Sequence, residues 1–249
     1  MYKNQTFKIT DYTMYSLYAK FYDLIFFSNK YTSEIEFIKT INYKYNLGKS
    51  VADFGCGTGT HLKLLKEAGF NVVGVDISPE MIKLARKKNP SIKIEKGDMR
   101  NFKLNLPQDM IICMYSALNY LESEDDFLKT LNNFYKNLNT KGALIIDTRY
   151  AKYILEKVRY FTDENKMLIW KFEKDNKDKD CGIFKMFYTI PQKNILTYEE
   201  HRQYGLNPYY IKKLLKKVGF LKVKIYEDFC EKEISSKTKS FKSIILAIK

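Results

Sequence analysis

The chain has 249 residues, 45% of them hydrophobic, which suits one α/β domain with an insertion and is too short for two full domains. Its formal net charge of +14 admits RNA, an acidic membrane or an anionic small molecule such as a nucleotide-sugar as partners; the lysines are spread along the chain, with no Arg-rich run, so a solvated lysine surface is the plainer reading. The four cysteines (Cys56, Cys113, Cys181, Cys230) form no C-x-x-C pair, which speaks against a zinc site; with no signal-peptide core and no apolar run near the ~18 residues of a membrane span, a cytoplasmic protein with reduced thiols is expected.

Residues 11–42 read as helical, with apolar residues at helical spacing. VADFG (51–55) is a short apolar strand ending in glycine, and HLKLLKEAG is an amphipathic helix stopped by Gly69. NVVGVDIS reads as a strand and PEMIKLARKKN as a helix, with Ser78 as N-cap and Pro79 suited to the first turn. SIKIEKGD and DMIICMYS are strands, DDFLKTLNNFYKNL a helix and GALIIDT a strand. Such alternation builds βαβ units on a parallel sheet with right-handed crossovers. Past Tyr150 the pattern changes. KMLIWKFEK, GIFKMFYTI and NILTYEEHRQYGL alternate apolar and polar residues as antiparallel strands do, and KDNKDKDCG reads as a turn between the first two. NPYYIKKLLKKVGF is then a helix, and LKVKIYEDF and KSIILAIK are closing strands. The expected organisation is a core of residues 1–150 and 207–249 with an N-terminal helical cap, and an antiparallel sheet, 151–206, inserted as a lid on the acceptor side.

Gly55, Gly57 and Gly59 fall where a strand meets a helix N-terminus, a place where backbone can approach an anionic or polar ligand closely. Dinucleotide-binding dehydrogenases use a similar turn, so this feature alone is weak. Asp76 ends the next strand, about 20 residues on, where a carboxylate accepts hydrogen bonds from a ribose diol. Gly97-Asp98-Met99 ends the third strand at the same sheet edge, where an Asp accepts from an adenine amine.

DFGCGTG, VDISPEMIKLAR and GDMRNF resemble the class I S-adenosylmethionine (SAM) dependent methyltransferases, over roughly residues 45–150. The turn is G-C-G-T-G, unlike the dehydrogenase G-x-G-x-x-G. The resemblance implies a seven-stranded Rossmann-like sheet of order 3-2-1-4-5-7-6 with strand 7 antiparallel, and SAM as cofactor. It implies that Gly55 and Gly57 face the methionine portion, Asp76 holds the ribose, Asp98 and the Met99 backbone hold adenine, and Ile77 packs on the adenine face. Tyr18, Tyr22 and Tyr31, on the N-terminal helical segment, would close over the cofactor, with core packing as the competing reading.

A finer resemblance covers most of the chain. YSLYAKFYDLIFFSNKYTSEIEF, CMYSALNYL and EEHRQYGLNPYYIKKLLKKVGF are similar to sugar-nucleotide N,N-dimethyltransferases, which act on the amino group of dTDP-linked amino deoxysugars. Those enzymes carry a His near the end of the CMYSALNYL motif, where this chain has Tyr120. That implies Tyr120 beside the acceptor nitrogen, with His201 as a second group. Period 2 places Glu199, His201 and Gln203 on one face of their strand and Glu200, Arg202 and Tyr204 on the other, so one face is expected to meet the substrate, with Arg202 as a contact. Arg149 follows the fifth strand at the ligand edge and would pair with a pyrophosphate. His61 is expected to be structural. Against an RNA methyltransferase, no N-P-P-Y-type motif follows strand four; against a non-catalytic SAM-binding protein, the glycine turn and acids are intact.

Overall fold

The computed structural model describes residues 8–11, 15–26, 30–150, 157–163, 165–178, 180–190, 195–230, 232–234 and 242–249. The elements are β1 (Lys8–Asp11), α1 (Ser16–Ile25), α2 (Lys30–Tyr45), β2 (Ser50–Phe54), α3 (Thr60–Glu67), β3 (Asn71–Asp76), α4 (Pro79–Lys88), β4 (Lys93–Lys96), β5 (Gln108–Cys113), α5 (Glu124–Asn137), β6 (Leu138–Arg149), β7 (Lys157–Asp163), β8 (Lys166–Lys174), β9 (Cys181–Ile190), β10 (Ile195–Tyr204), α6 (Pro208–Val218), β11 (Lys222–Glu227) and β12 (Lys242–Ile248). A 3-10 turn, Ala117–Tyr120, follows β5.

Seven strands form one sheet in the order β11-β12-β6-β5-β2-β3-β4. β2 through β6 pair in parallel and β12 runs antiparallel to both neighbours, which is the expected 3-2-1-4-5-7-6 arrangement. Alternation along the central strands feeds two cores. Ile111 and Cys113 of β5 and Leu144 and Ile146 of β6 face Phe127, Leu131, Phe134, Ile211, Leu214 and Leu215 of α5 and α6. Met110, Ile112, Ala143 and Ile145 face Ile35, Ile38, Ile41 and Leu65 of α2 and α3. Each fully buried aliphatic side chain contributes roughly 1.5–3 kcal/mol, so these layers fix the sheet and the position of its strand ends. Ser78 caps α4 by accepting from the Met81 N–H, with Pro79 next to it.

The second sheet has the order β1-β10-β9-β8-β7. Its inner face (Leu168, Trp170, Phe184, Met186, Tyr188) packs on Leu17, Tyr18 and Ala19 of α1 and on Met81. Two strands here were not expected. β1 lies within the stretch bordering the expected helix and pairs in parallel with β10; at four residues it is too short for periodicity to reveal. β7, KVRYFTD, is exposed throughout its described side chains, so it lacks the apolar alternation of a half-buried strand. The helical stretch expected over 11–42 is formed by α1 and α2, with Asp11 instead ending β1. Strand four ends at Cys113, because Tyr115 and Ser116 adopt φ of 55° and 61°, which no strand allows. Among the described residues no helix is long and apolar enough to cross a membrane.

Candidate active site

The C-terminal ends of β2, β3, β4 and β5 open on a cleft of about 770 Å³, within the size range of small-molecule sites. Its floor is the turn from β2 into α3. Gly55 has φ +75° and a Cβ there would come 2.7 Å from the Ala117 Cβ, so only glycine fits; Gly57 has φ +54° and lies against the Tyr22 ring. Asp76, 8% exposed, spans the turn: one carboxylate oxygen accepts from the Gly57 N–H at 2.8 Å and the other from the Ser78 N–H at 2.9 Å. Burial raises its pKa, against the opposing pull of those N–H bonds. Each oxygen keeps a further lone pair, as a vicinal diol requires. Ile77, half exposed, and Met99 line the same cleft beside Asp98. The Asp98 carboxylate is already engaged, accepting from the Arg100 guanidinium at 2.6–3.0 Å, which holds its pKa below the ordinary carboxylate range.

The far end of the cleft is aromatic. Tyr15, Tyr18, Tyr22 and Tyr120 line it with His201. Tyr120 comes from the 3-10 turn, which buried Asn119 anchors: its side-chain amide donates to the Arg149 carbonyl at 2.9 Å and to the Tyr204 carbonyl. The ends of β6 and β10 are thereby brought to Tyr120, whose hydroxyl stands 3.4 Å from His201 Nδ1. His201 Nε2 faces the Glu199 carboxylate at 2.6 Å, and both residues are buried. Glu199 also accepts from the backbone N–H groups of Tyr15, Leu17 and Tyr18 at 2.7, 2.8 and 3.1 Å, so it caps the N-terminus of α1, whose own cap position, Tyr15, supplies no side-chain acceptor. Burial opposes its charge, but the His201 bond and the N–H bonds outweigh that and hold its pKa below the usual value. A carboxylate on Nε2 selects the tautomer with the proton there and leaves the Nδ1 lone pair toward Tyr120. Tyr120 has its pKa pushed up to about 12, chiefly by burial, so it remains a phenol. Of the two faces of β10, Glu199, His201 and Gln203 form the buried one, and Gln203 Oε1 has no hydrogen-bond partner.

Three expected contacts are placed otherwise. Tyr31 does not line the cleft; it stacks on Tyr115 at 5.3 Å and abuts His61. Arg202 reaches the cleft wall, but its guanidinium is held by Asp175 at 2.8 Å and Asp178 at 3.1 Å and lies over the Tyr204 ring, so its charge is spent inside its own sheet. Arg149, half-buried at the end of β6, is not among the residues lining the cleft, and its guanidinium lies 5.8 Å over the Phe172 ring. His61 sits away from the cleft, bonded to buried Glu34 at 2.7 Å.

Sequence reasoning missed two groups. Glu199 was visible only as one residue of an alternating face. Asp53, just before the glycine turn, is 1% exposed, and neither carboxylate oxygen has a hydrogen-bond partner. Burial raises its pKa to about 7. An unpaired buried carboxylate behind a glycine turn fits a ligand cation, and its sequence signal was its place as the last polar residue of a buried strand.

A model of the methyltransferase domain family matches residues 51–142. The glycine/sarcosine N-methyltransferase of Aphanothece halophytica is 31% identical over 225 residues, covering 85% of this chain and 81% of that protein. The dTDP-3-amino-3,6-dideoxy-alpha-D-glucopyranose N,N-dimethyltransferase of Streptomyces fradiae is 31% identical over 98 residues, 39% of this chain and 38% of that one. Among solved structures, a SAM-dependent methyltransferase from Clostridium acetobutylicum superposes with a TM-score of 0.76 at 22% identity, over 94% of this chain and 98% of that one.

Proposed function

The chain belongs to the SAM-dependent methyltransferases and is an N-methyltransferase, and we propose that its acceptor is a small amine that also carries an anionic group. The observation that carries this reading is the Tyr120–His201–Glu199 line at the acceptor end of the cleft. An amine reaches the enzyme mainly as an ammonium ion and attacks only once deprotonated. His201, held by Glu199 with its Nδ1 lone pair turned to Tyr120, is built to take that proton. Tyr120, kept neutral by burial, donates its O–H toward His201 Nδ1 and accepts an N–H of the amine, which leaves the amine lone pair free to point at the methyl group.

SAM supplies an electrophilic methyl group on a sulfonium. Around it, Asp76 takes the ribose hydroxyls, Asp98 and the Met99 backbone the adenine edge, and Ile77 the adenine face. Gly55 and Gly57 admit the methionine chain, Tyr18 and Tyr22 cover it, and Asp53 pairs with its ammonium. With donor and acceptor fixed in line, positioning supplies most of the rate, and a misplacement of about 1 Å costs roughly 100-fold. Strands β7 to β10 of the second sheet, inserted within residues 151–206, act as the acceptor-side lid, since β10 carries His201.

Arg149 supplies the anion contact. An amino acid of the glycine or sarcosine type carries an amine and a carboxylate together, and relatives aligned over 84–85% of the chain carry that activity in their names. A nucleotide-linked amino sugar is the second reading, favoured by the identity with dTDP-amino-sugar N,N-dimethyltransferases. Turnover of SAM with glycine, with sarcosine and with a dTDP-amino deoxysugar separates them. Methylation of the sugar alone transfers the assignment to it, and methylation of neither, with tRNA accepted instead, refutes the small-amine reading.

A further inference from the structure

Between the end of β5 and the 3-10 turn, Tyr115 and Ser116 both adopt left-handed backbone, with φ of 55° and 61°. For residues with a Cβ that conformation is unfavourable, and two in succession persist only where their surroundings impose it. The pair decides where the chain goes next, because the 3-10 turn begins at Ala117 and ends on Tyr120. Tyr115 is pinned by its ring, which stacks on Tyr31 and meets Phe26 and His61 edge to face. Ser116 has no such hold through its side chain: its hydroxyl is buried without a hydrogen-bond partner.

What holds Ser116 is a carboxylate from the neighbouring strand. Asp147 of β6 is fully buried, and one of its oxygens accepts the Ser116 N–H at 2.6 Å. The other oxygen makes no hydrogen bond and faces the Lys242 ammonium at 3.6 Å. Lys242, at the start of β12, stands equally far from buried Glu34, whose second oxygen is bonded to His61, and it lies over the Tyr115 ring at 5.5 Å. A carboxylate out of water needs an opposite charge and hydrogen bonds to stay there, and Lys242 and the Ser116 N–H supply them. Further along the turn, the Asn119 amide grips the backbone of Arg149, two residues beyond Asp147. The turn is therefore strapped to β6 at its entry and again just before Tyr120.

We propose that Asp147 is a positioning residue for methyl transfer: by holding Ser116 in its left-handed conformation it sets the 3-10 turn, and with it the Tyr120 hydroxyl against His201. Asp147 does not itself line the cleft. Without its carboxylate the buried Ser116 N–H loses its acceptor, and the backbone at Ser116 is released toward the ordinary negative-φ regions. A turn that swings there carries Tyr120 with it, and a shift of about 1 Å at the reacting groups costs roughly 100-fold in rate. The inference rests on the reading that Tyr120 belongs to the acceptor site. A carboxylate that only stabilises the core would lower Tm on removal and spare the turnover of the folded fraction.

Steady-state kinetics of the full chain test it, with SAM and whichever of glycine, sarcosine and a dTDP-amino deoxysugar turns over. Asp147→Ala is expected to lower kcat by about tenfold or more, with the SAM dissociation constant within about twofold of wild type. Glycine adopts the left-handed conformation without help, so the double variant Asp147→Ala/Ser116→Gly should recover a kcat within about threefold of Ser116→Gly alone. In a Tyr120→Phe chain, adding Asp147→Ala should cost less than about twofold more, because the group it acts through is already gone. Unchanged kcat in folded Asp147→Ala, no recovery with Ser116→Gly, or losses that multiply in full with Tyr120→Phe each overturn the proposal. Where Asp147→Ala alone does not fold, the double variant must fold and turn over, and its failure to do so counts against the proposal equally. If Tyr120→Phe itself leaves kcat intact, the acceptor reading has failed and the proposal falls with it; if Tyr120→Phe is impaired and Asp147→Ala is not, only the role of Asp147 is refuted.

Discussion

Replacing Glu199 with Gln changes one atom and tests the acceptor site at its joint. Glu199 accepts four hydrogen bonds, His201 and Tyr15 on one oxygen and Leu17 and Tyr18 on the other. All four partners are donors, so an amide must turn its NH2 toward two of them. Two charge-assisted bonds of about 1.5–3 kcal/mol each are then lost, partly offset because no charge remains to be buried, for a net cost of about 2–4 kcal/mol. For a chain of this length that is a fall in Tm of roughly 5–15 °C. If the NH2 turns to His201, the ring must accept at Nε2 and carry its proton on Nδ1, and the lone pair facing Tyr120 disappears. A drop in kcat of about 100-fold is expected, in the range of a lost general base, with the SAM dissociation constant changed far less. Because the Glu199 pKa is lowered in the folded protein, its stabilisation is present above the unfolded value near 4 and fades as pH falls through the folded value. The wild type and Glu199→Gln melting curves should therefore converge in acid. Melting curves and steady-state kinetics on both proteins settle it; a variant with unchanged Tm and unchanged kcat refutes the joint role of this carboxylate.

Four further outcomes are expected. Asp76→Asn should weaken SAM binding by about 1–3 kcal/mol in calorimetry, since it removes charge-assisted acceptance at the ribose; unchanged affinity in the folded variant removes Asp76 from the cofactor. Tyr120→Phe should lower kcat at least tenfold while leaving SAM affinity and Tm nearly intact, whereas a packing role would lower Tm and spare kcat. Arg149→Met should raise KM for the anionic acceptor more than tenfold and leave KM for SAM within about twofold; equal effects on both would place Arg149 outside the acceptor site. Asp53, with its pKa raised to about 7, holds a proton in the free folded protein between pH 4 and 7 that the unfolded chain has released, so this residue makes stability fall as pH rises through that window. A ligand ammonium beside it favours the carboxylate and expels the proton, so SAM should bind more tightly as pH rises from 5.5 to 7.5. Asp53→Asn should flatten that slope, and a slope unchanged by the substitution contradicts the pairing.

The sequence carries the cofactor half of this protein far more openly than the acceptor half. Gly55 and Asp76 are legible because their constraints are local: a positive φ that only glycine tolerates, and a carboxylate two residues from the N–H it caps. The acceptor half depends on long-range meetings. Tyr120 and His201 are 81 residues apart, and Glu199 meets Tyr15 across 184. Period 2 put Glu199, His201 and Gln203 on one face, but it could not tell that this face is the buried one or that α1 ends on it. The charge of Arg202 read as substrate-binding because its partners, Asp175 and Asp178, belong to a turn whose acids look solvated in sequence. β7 escaped notice for the opposite reason: a strand exposed on both faces has no apolar alternation. Glu199 shows why the two halves are not separable. The same carboxylate fixes His201 and caps α1, the helix whose Tyr22 covers Gly57. Order in the cofactor's cover and order in the proton acceptor are therefore set by one group, and a chain that loosens either loosens both.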